Sequence, residues 1–272
     1  METSIRALYD LHSHALPAWD DGPDSLEDSL ALLERAQNAG TQTIVATPHV
    51  GRRWKNREGH SSEDIPGAVE KLNQAAQGRG LTIKVIPGAE LLMGAIDIGG
   101  GDIKPSWTYG GAGKWALIES PNTSWPTFAN HIVYELARRG IRSVLAHPER
   151  YGDVQKDVQV LKQALGHGAL VQVTAGVVSG QVNEKSMMRC VQNLFKAGLV
   201  HLVASDAHNA DHTMPGEVVA EVVTRVGEAR ARQIFEDNPR AILEGRPFPP
   251  QHAVAPTVSS GGGLFSRLLG KG

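Results

Sequence analysis

The amino-acid sequence predicts an α/β fold, a distorted (β/α)7 TIM-like barrel, on three observations. Seven short runs rich in Val, Ile, Leu and Ala each end in polar residues. Segments of helical periodicity separate these runs, and continuous apolar strands alternating with helices imply a parallel sheet covered by helices. The chain has 272 residues, enough to bury one large core. Seven units is one short of the usual barrel, and an irregular barrel accounts for that better than an open doubly wound sheet.

The expected strands are residues 5–11, 43–47, 81–87, 114–119, 143–146, 169–174 and 200–204. The first helix is expected over 25–39. A Pro-Asp-Ser start signal precedes it, Leu26, Leu30, Leu33 and Ala36 or Gln37 share one face, and Gly40 closes it. Residues 64–77, 127–139, 157–165 and 183–197 read as helices of the same kind, with Gly140, Gly166 and Gly198 as stops. A last helical segment, 217–243, is expected to pack on the outside. One barrel domain thus spans 1–246. The remaining stretch, 247–272, is rich in Pro, Ser and Gly and reads as a mobile tail, with a short apolar cluster at 264–269.

Composition narrows the function classes. Lys and Arg number 27 against 29 Asp and Glu, a net charge of −2, so neither nucleic acid nor an anionic membrane is the expected partner. A lone cysteine, Cys190, excludes a disulfide framework and a zinc ribbon. The N-terminus carries no apolar leader, and no run approaches 18 apolar residues, so no membrane insertion and a cytoplasmic location are expected. There is no G-x-S-x-G elbow and no phosphate-binding P-loop. The cysteine-phosphatase route needs an arginine six positions beyond the thiolate, and the residue six beyond Cys190 is Lys196. Cys190 therefore reads as packing.

The informative feature is where the ionisable residues fall. Six of the seven expected strands end in groups that bind metals: His12 and His14, His49, Glu90, Glu119, His147, and Asp206 with His208. Asp21 follows in the loop after the first strand. Alternation puts i and i+2 on one side, so His12 pairs with His14, and Asp206 with His208. Taken singly, each has an ordinary reading as a cap, a core histidine or an ion-pair partner. Six strand ends at once, at the rim where α/β barrels collect their chemistry, point instead to a polynuclear metal site. His60, His131, His167, His201, His212 and His252 lack that placement. Imidazole and carboxylate donors without thiolate suit manganese, iron or zinc, and richness in carboxylate favours manganese or iron. Two ions sharing a carboxylate would generate a hydroxide for attack on phosphorus or on an amide carbonyl, and spacing alone does not separate these.

The ordered motifs DLHSH, DDGP, TPH, GAE, LIES, HPER and SDAHN span residues 10–209. In combination they resemble the PHP (polymerase and histidinol phosphatase) family, most closely its bacterial manganese-dependent tyrosine-protein phosphatases of capsule and exopolysaccharide systems. The resemblance implies a PHP-type barrel holding up to three divalent ions, Mn2+ foremost, with Fe, Co or Zn as alternatives. His12, His14, Glu90 and Asp206 would hold the first ion. Glu90 would bridge to a second, completed by Glu119 and His147, and Asp21, His49 and His208 would hold the third. The catalytic set would be Arg150, Asp206 and His208. Arg150 has the fork to grip a phosphate oxygen, its alternative being a structural ion pair with a neighbouring carboxylate such as Glu149. Arg52 and Arg53 are further candidates for substrate contact, or solvated loop charges. The family commonly places an arginine after the SDxHN turn, and residues 210–215 contain none. His212 or an arginine from another loop would then serve. The implied substrate is a phosphotyrosine-bearing protein tail, that of a cognate bacterial tyrosine kinase, and a homo-oligomer is compatible with the reading. The competing readings are a histidinol-phosphate type of small-molecule phosphatase and a non-catalytic PHP module. Metal-dependent amidohydrolases usually add a lysine ligand at a strand end, and none stands at these six.

Overall fold

A computed structural model describes residues 4–51, 59–96, 103–246 and 248. The chain begins with strand β1 (Tyr9–Ser13), helix α1 (Leu26–Asn38) and strand β2 (Thr43–Ala46). Ser25 caps α1, its hydroxyl accepting from the Asp28 N–H at 3.2 Å, and acidic Glu27 and Asp28 favour the first turn. Leu30, Leu33 and Ala36 are buried as expected, joined by Leu32, whereas Leu26 sits on the solvent side of the first turn.

The second and third expected strands, 43–47 and 81–87, are each followed by a further short strand beyond the expected end. After β2 comes the two-residue strand β3 (His49–Val50); then helix α2 (Ile65–Gly78), β4 (Lys84–Pro87) and the short β5 (Glu90–Leu92). Pro48 has no N–H to give to a ladder, so the second strand is interrupted at Thr47–Pro48. The third is interrupted at Gly88–Ala89, where a Cβ on Gly88 would lie 2.8 Å from Val45 Cγ1. The breaks put His49 and Glu90 at the first positions of β3 and β5, side by side in register.

The rest follows the expected alternation: β6 (Trp115–Glu119), α3 (Ala129–Arg138), β7 (Arg142–Leu145), α4 (Gly152–Lys156), α5 (Lys162–Gly166), β8 (Leu170–Thr174), α6 (Ala175–Val178), α7 (Lys185–Lys196) and β9 (Leu202–Ala204). The short α4 and α6 escaped the periodicity because each is only one turn long. The expected helix over 157–165 is a 3-10 turn, Val158–Leu161, running into α5. Residues 217–243 are not one helix. They form α8 (Val219–Val226), α9 (Glu228–Arg232), a π turn at Gln233–Asp237 and α10 (Asn238–Leu243). The first break is at Gly227, at φ 79° and ψ 162°, a region open essentially to glycine alone.

All strand pairings are parallel, in the orders β1-β2-β4 and β3-β5-β6-β7-β8-β9. The ring closes between β9 and β1 through a Ser13–Ala207 bridge, with His14 N donating to Ala207 O at 2.8 Å and Asp206 N to His12 O at 2.9 Å. The seven expected strands therefore make one closed barrel. Leu11, Val45, Leu117, Val144, Leu170 and Leu202 fill its interior, and Tyr109, Trp115 and Ile242 belong to the same cluster. A second, larger apolar layer joins the barrel's outside to the helices. Cys190 is fully buried in α7, and burial pushes its thiol up to about 12, the mark of a packing residue. Of the expected tail only Phe248 is described, its ring meeting Trp115 edge-on at 5.4 Å; the remainder, with the cluster at 264–269, lies outside the described residues. Among the described residues no helix is long and apolar enough to cross a membrane.

Gly227 tests the helix break directly. A Cβ there meets nothing within 4 Å, so Gly227→Ala is a purely conformational change. Its expected cost is about 1–3 kcal/mol in unfolding free energy, read by denaturant melts, with α8 and α9 otherwise undisturbed.

Candidate metal centre

Strand alternation explains how the fold delivers polar groups to one end of an apolar barrel. On β6, Trp115 and Leu117 point inward and Glu119 follows two residues later on the same face. On β8, Leu170 points inward and Gln172 follows. At the C-terminal ends of β7 and β9 the chain turns sharply: His147 has φ 32° and Asp206 φ 53°, left-handed values unusual for residues with side chains. Strain of this kind persists where the surroundings over-determine it, commonly at functional sites. The loop after β1 doubles back over His14, and a Cβ on Gly22 would sit 2.1 Å from the His14 carbonyl oxygen. Only glycine fits that place in the Asp-Asp-Gly turn.

All nine sequence-expected ligands come together. Their donor atoms form four overlapping groups, each within 4.8 Å: His14, Asp21, His49 and His208; His12, His14 and Asp206; His12, Glu90 and His147; His49, Glu90 and Glu119. Glu90 is the hub. Its Oε1 lies 2.7 Å from His147 Nε2 and 3.6 Å from His12 Nε2, and its Oε2 lies 3.0 Å from His49 Nδ1 and 3.6 Å from His14 Nε2. Asp206 Oδ1 stands 3.2 Å from His12 Nε2 and 3.4 Å from His14 Nε2. Asp21 Oδ1 stands 3.3 Å from His49 Nε2 and 3.4 Å from His208 Nε2. His49 is less exclusive than expected, since its Nδ1 also lies 3.2 Å from Glu119 Oε1. It therefore spans two groups.

Several supporting residues were missed by sequence reasoning. Asp20, buried, accepts from His14 Nδ1 at 2.7 Å. Gln172 Oε1 lies 2.9 Å from His12 Nδ1, and the Asp206 carbonyl lies 2.9 Å from His208 Nδ1. Each contact directs the other ring nitrogen toward the carboxylates, which is how ligand imidazoles are oriented. Asp10 accepts from Ser205 N at 3.0 Å and holds the β9 end against β1. Gln172 had a signal in the sequence, a polar residue at an inward position of an apolar strand. Asp20 had only its adjacency to Asp21.

The electrostatics are those of a buried array of charges. Burial opposes ionisation of His14 and His49, but Asp20 raises His14 to about 10, and Asp21, Glu119 and Glu90 raise His49 to about 11. Against their own burial, Asp206 is held well below the usual carboxylate range by Arg150 and His12, and Glu90 by His12 and His147. Even so, His12 Nε2, His14 Nε2 and Glu90 Oε2 are buried without a hydrogen bond. Buried polar atoms are seldom left so, and lone pairs converging from imidazole and carboxylate fit divalent ions with nitrogen and oxygen donors.

The site opens into a cavity of about 210 Å³ whose wall includes Glu119, the Ser120–Thr123 segment, His147, Arg150, Tyr151 and His208. Arg150 does not pair with Glu149, which is buried and accepts from Thr174 N at 2.8 Å; it hydrogen-bonds Asp206 instead. Among the described residues it is the one arginine or lysine in that wall. The His212 ring lies tilted beside that of His208, with centroids 5.7 Å apart, and is not part of the wall. Arg52 and Arg53 lie outside the described residues.

Comparison with known proteins finds relatives over most of the chain. Residues 8–244 match the family model for capsular polysaccharide synthesis, CpsB/CapC. The tyrosine-protein phosphatase YwqE of Bacillus subtilis is 33% identical over 205 residues, covering 74% of this chain and 78% of the relative. The tyrosine-protein phosphatase CpsB of Streptococcus agalactiae serotype III is 29% identical over 244 residues, covering 87% and 98%. Among solved structures, a chain from the work on B. subtilis YwqE and Streptococcus pneumoniae CpsB, described as unique metal-dependent tyrosine phosphatases, superposes with TM-score 0.78 at 27% identity, covering 91% of this chain and 99% of that one.

Ion binding should show as stability. Chelator-stripped protein given Mn2+ at 100 times its Kd should gain about 2.7 kcal/mol against unfolding, seen as a raised thermal midpoint. Gly22→Ala, which pushes the Asp21 loop off His14, should lose most of that gain. A midpoint unmoved by any divalent ion would contradict the fit.

Proposed function

The chain belongs to the CpsB/CapC capsular polysaccharide synthesis family, and from that premise we propose that it is a metal-dependent protein-tyrosine phosphatase, a phosphoric monoester hydrolase. The observation that carries the reading is the convergence of nine imidazole and carboxylate residues, Glu90 among them as the hub, at the floor of an open mouth with Arg150 in its wall. His12, His14, Glu90 and Asp206 would hold one ion; Glu90, Glu119 and His147 would hold a second; and Asp21, His49 and His208 would hold a third. Bound divalent ions supply Lewis-acid polarisation of the phosphate and a nucleophile at neutral pH. Manganese is the favoured metal on the carboxylate-rich donor set, ahead of iron, cobalt and zinc.

The protein's own groups do the positioning. Arg150 exchanges its contact with Asp206 for a phosphate oxygen, where a planar fork matches the geometry. Asp206 and His208 complete the catalytic set, both reaching the cavity from the turn after β9. The second family arginine has no counterpart in residues 210–215, so among the described residues Arg150 is the arginine placed to meet the phosphate. The mouth is open and, Arg150 and the metal-site residues apart, its wall holds the neutral Ser120–Thr123 segment and Tyr151. That suits a phosphotyrosine on an extended protein tail better than a small phosphate ester needing charged partners for its remainder. A tyrosine kinase of polysaccharide export, met in the cytoplasm, is the substrate this reading favours.

A paired assay decides between substrates. Stripped enzyme resupplied with Mn2+ is given a phosphotyrosine peptide and histidinol phosphate side by side, and phosphate release mainly from the peptide is expected. Preference for histidinol phosphate would move the protein into metabolism. In the same assay His49→Ala and His208→Ala should abolish most turnover with the fold intact, and Arg150→Ala should lower kcat on the order of 10²-fold. Cys190→Ser should leave turnover nearly unchanged; a large loss would revive a thiol route.

A further inference from the structure

The two adjacent aspartates of the Asp-Asp-Gly turn face opposite ways. Asp21 is about a third exposed and turns its Oδ1 to the Nε2 atoms of His49 and His208. Asp20 is buried, points inward, and is not one of the nine donors. Three N–H groups converge on it. Its Oδ2 accepts from His14 Nδ1 at 2.7 Å and from the His49 backbone N–H at 3.0 Å, and its Oδ1 accepts from Gly22 N at 3.1 Å.

We propose that Asp20 is a positioning residue that aligns ligands of two ion groups through one carboxylate. The inference rests on the metal-site reading above. On one side Asp20 fixes the His14 ring, keeping the proton on Nδ1 so that Nε2 faces the ions. On the other it anchors the first residue of β3 by its backbone, at the point where Pro48 has interrupted the ladder. His14 belongs to the group with His12 and Asp206, both His14 and His49 to the group with Asp21, and His49 also to the group with Glu90 and Glu119. The group of His12, Glu90 and His147 contains neither. Asp20 thereby ties together the ions that His14 and His49 would hold, and the ion built on His147 depends on it least.

The side-chain chemistry demands an acid here. Both oxygens of Asp20 receive N–H donors, so an asparagine, whichever way it turns, would set its NH2 against at least one of them. Asp20→Asn preserves the shape while removing one acceptor and the charge.

The test is a titration of chelator-stripped wild type and Asp20→Asn with Mn2+, reading ion number by elemental analysis and affinities by calorimetry, alongside the thermal midpoint of each metal-free protein. The expected result is split: one ion binds with wild-type affinity, and the others bind on the order of 10–100-fold more weakly. Should Asp20→Asn fail to fold, Asp20→Ser, smaller and still an acceptor, is measured in its place with the same split expected. Unchanged affinity for every ion overturns the proposal. Uniform weakening of all ions with a lowered metal-free midpoint also overturns it, because that is the effect of a general structural role. A wild type that binds no divalent ion fails at the earlier step and removes the metal-site reading itself.

Discussion

Glu90 is the group on which the arrangement turns. A fully buried carboxylate is costly unless it is paired, and Glu90 lies within 3.6 Å of a nitrogen from each of four histidines. Those histidines come from β1, the turn after it, β3 and the turn after β7. A single charge therefore requires separate strands to end at one level, and the barrel must be irregular to satisfy it. The breaks at Thr47–Pro48 and Gly88–Ala89 serve that end, since they set His49 and Glu90 beside each other.

The barrel divides by height. Its lower interior is aliphatic and aromatic, from Leu11 and Val45 to Trp115 and Leu202. One residue pair higher, the same inward positions become Gln172 and Glu119. The apolar floor excludes water from beneath the site and so strengthens every electrostatic contact above it. The rim residues His147 and Asp206 accept left-handed backbone angles, a cost sustained by ladder bonds such as Asp206 N to the His12 carbonyl.

Orientation is supplied by a further ring of groups. Gln172, Asp20 and the Asp206 carbonyl each occupy one nitrogen of a different histidine. With those nitrogens spoken for, the remaining ones aim at the carboxylates. Arg150 completes the balance by pairing with Asp206, which places a cation at the mouth already directed toward the acids and available to an anionic substrate. The small open cavity beside it, floored by donors and walled elsewhere by neutral residues, explains how one site can be both heavily charged inside and open to solvent.

By itself the sequence determined the seven-strand alternation, the apolar interior and all nine candidate ligands, because strand ends and period-2 spacing are local properties written in short motifs. It likewise marked Cys190 as packing and Arg150 as the cation of the site. Tertiary structure decided what depends on contacts between distant segments. His49 reaches Glu90 and Glu119 as well as Asp21, Arg150 chooses Asp206 over its neighbour Glu149, and Asp20 and Gln172 hold rings brought to them by folding. The long helix expected over 217–243 breaks for a related reason. Gly227 is tolerated in a helical pattern, but packing of α8, α9 and α10 against the barrel calls for a change of direction that only glycine's backbone allows. Local pattern names the residues able to do chemistry. Which partner each one takes is settled only when burial forces every charge to find one.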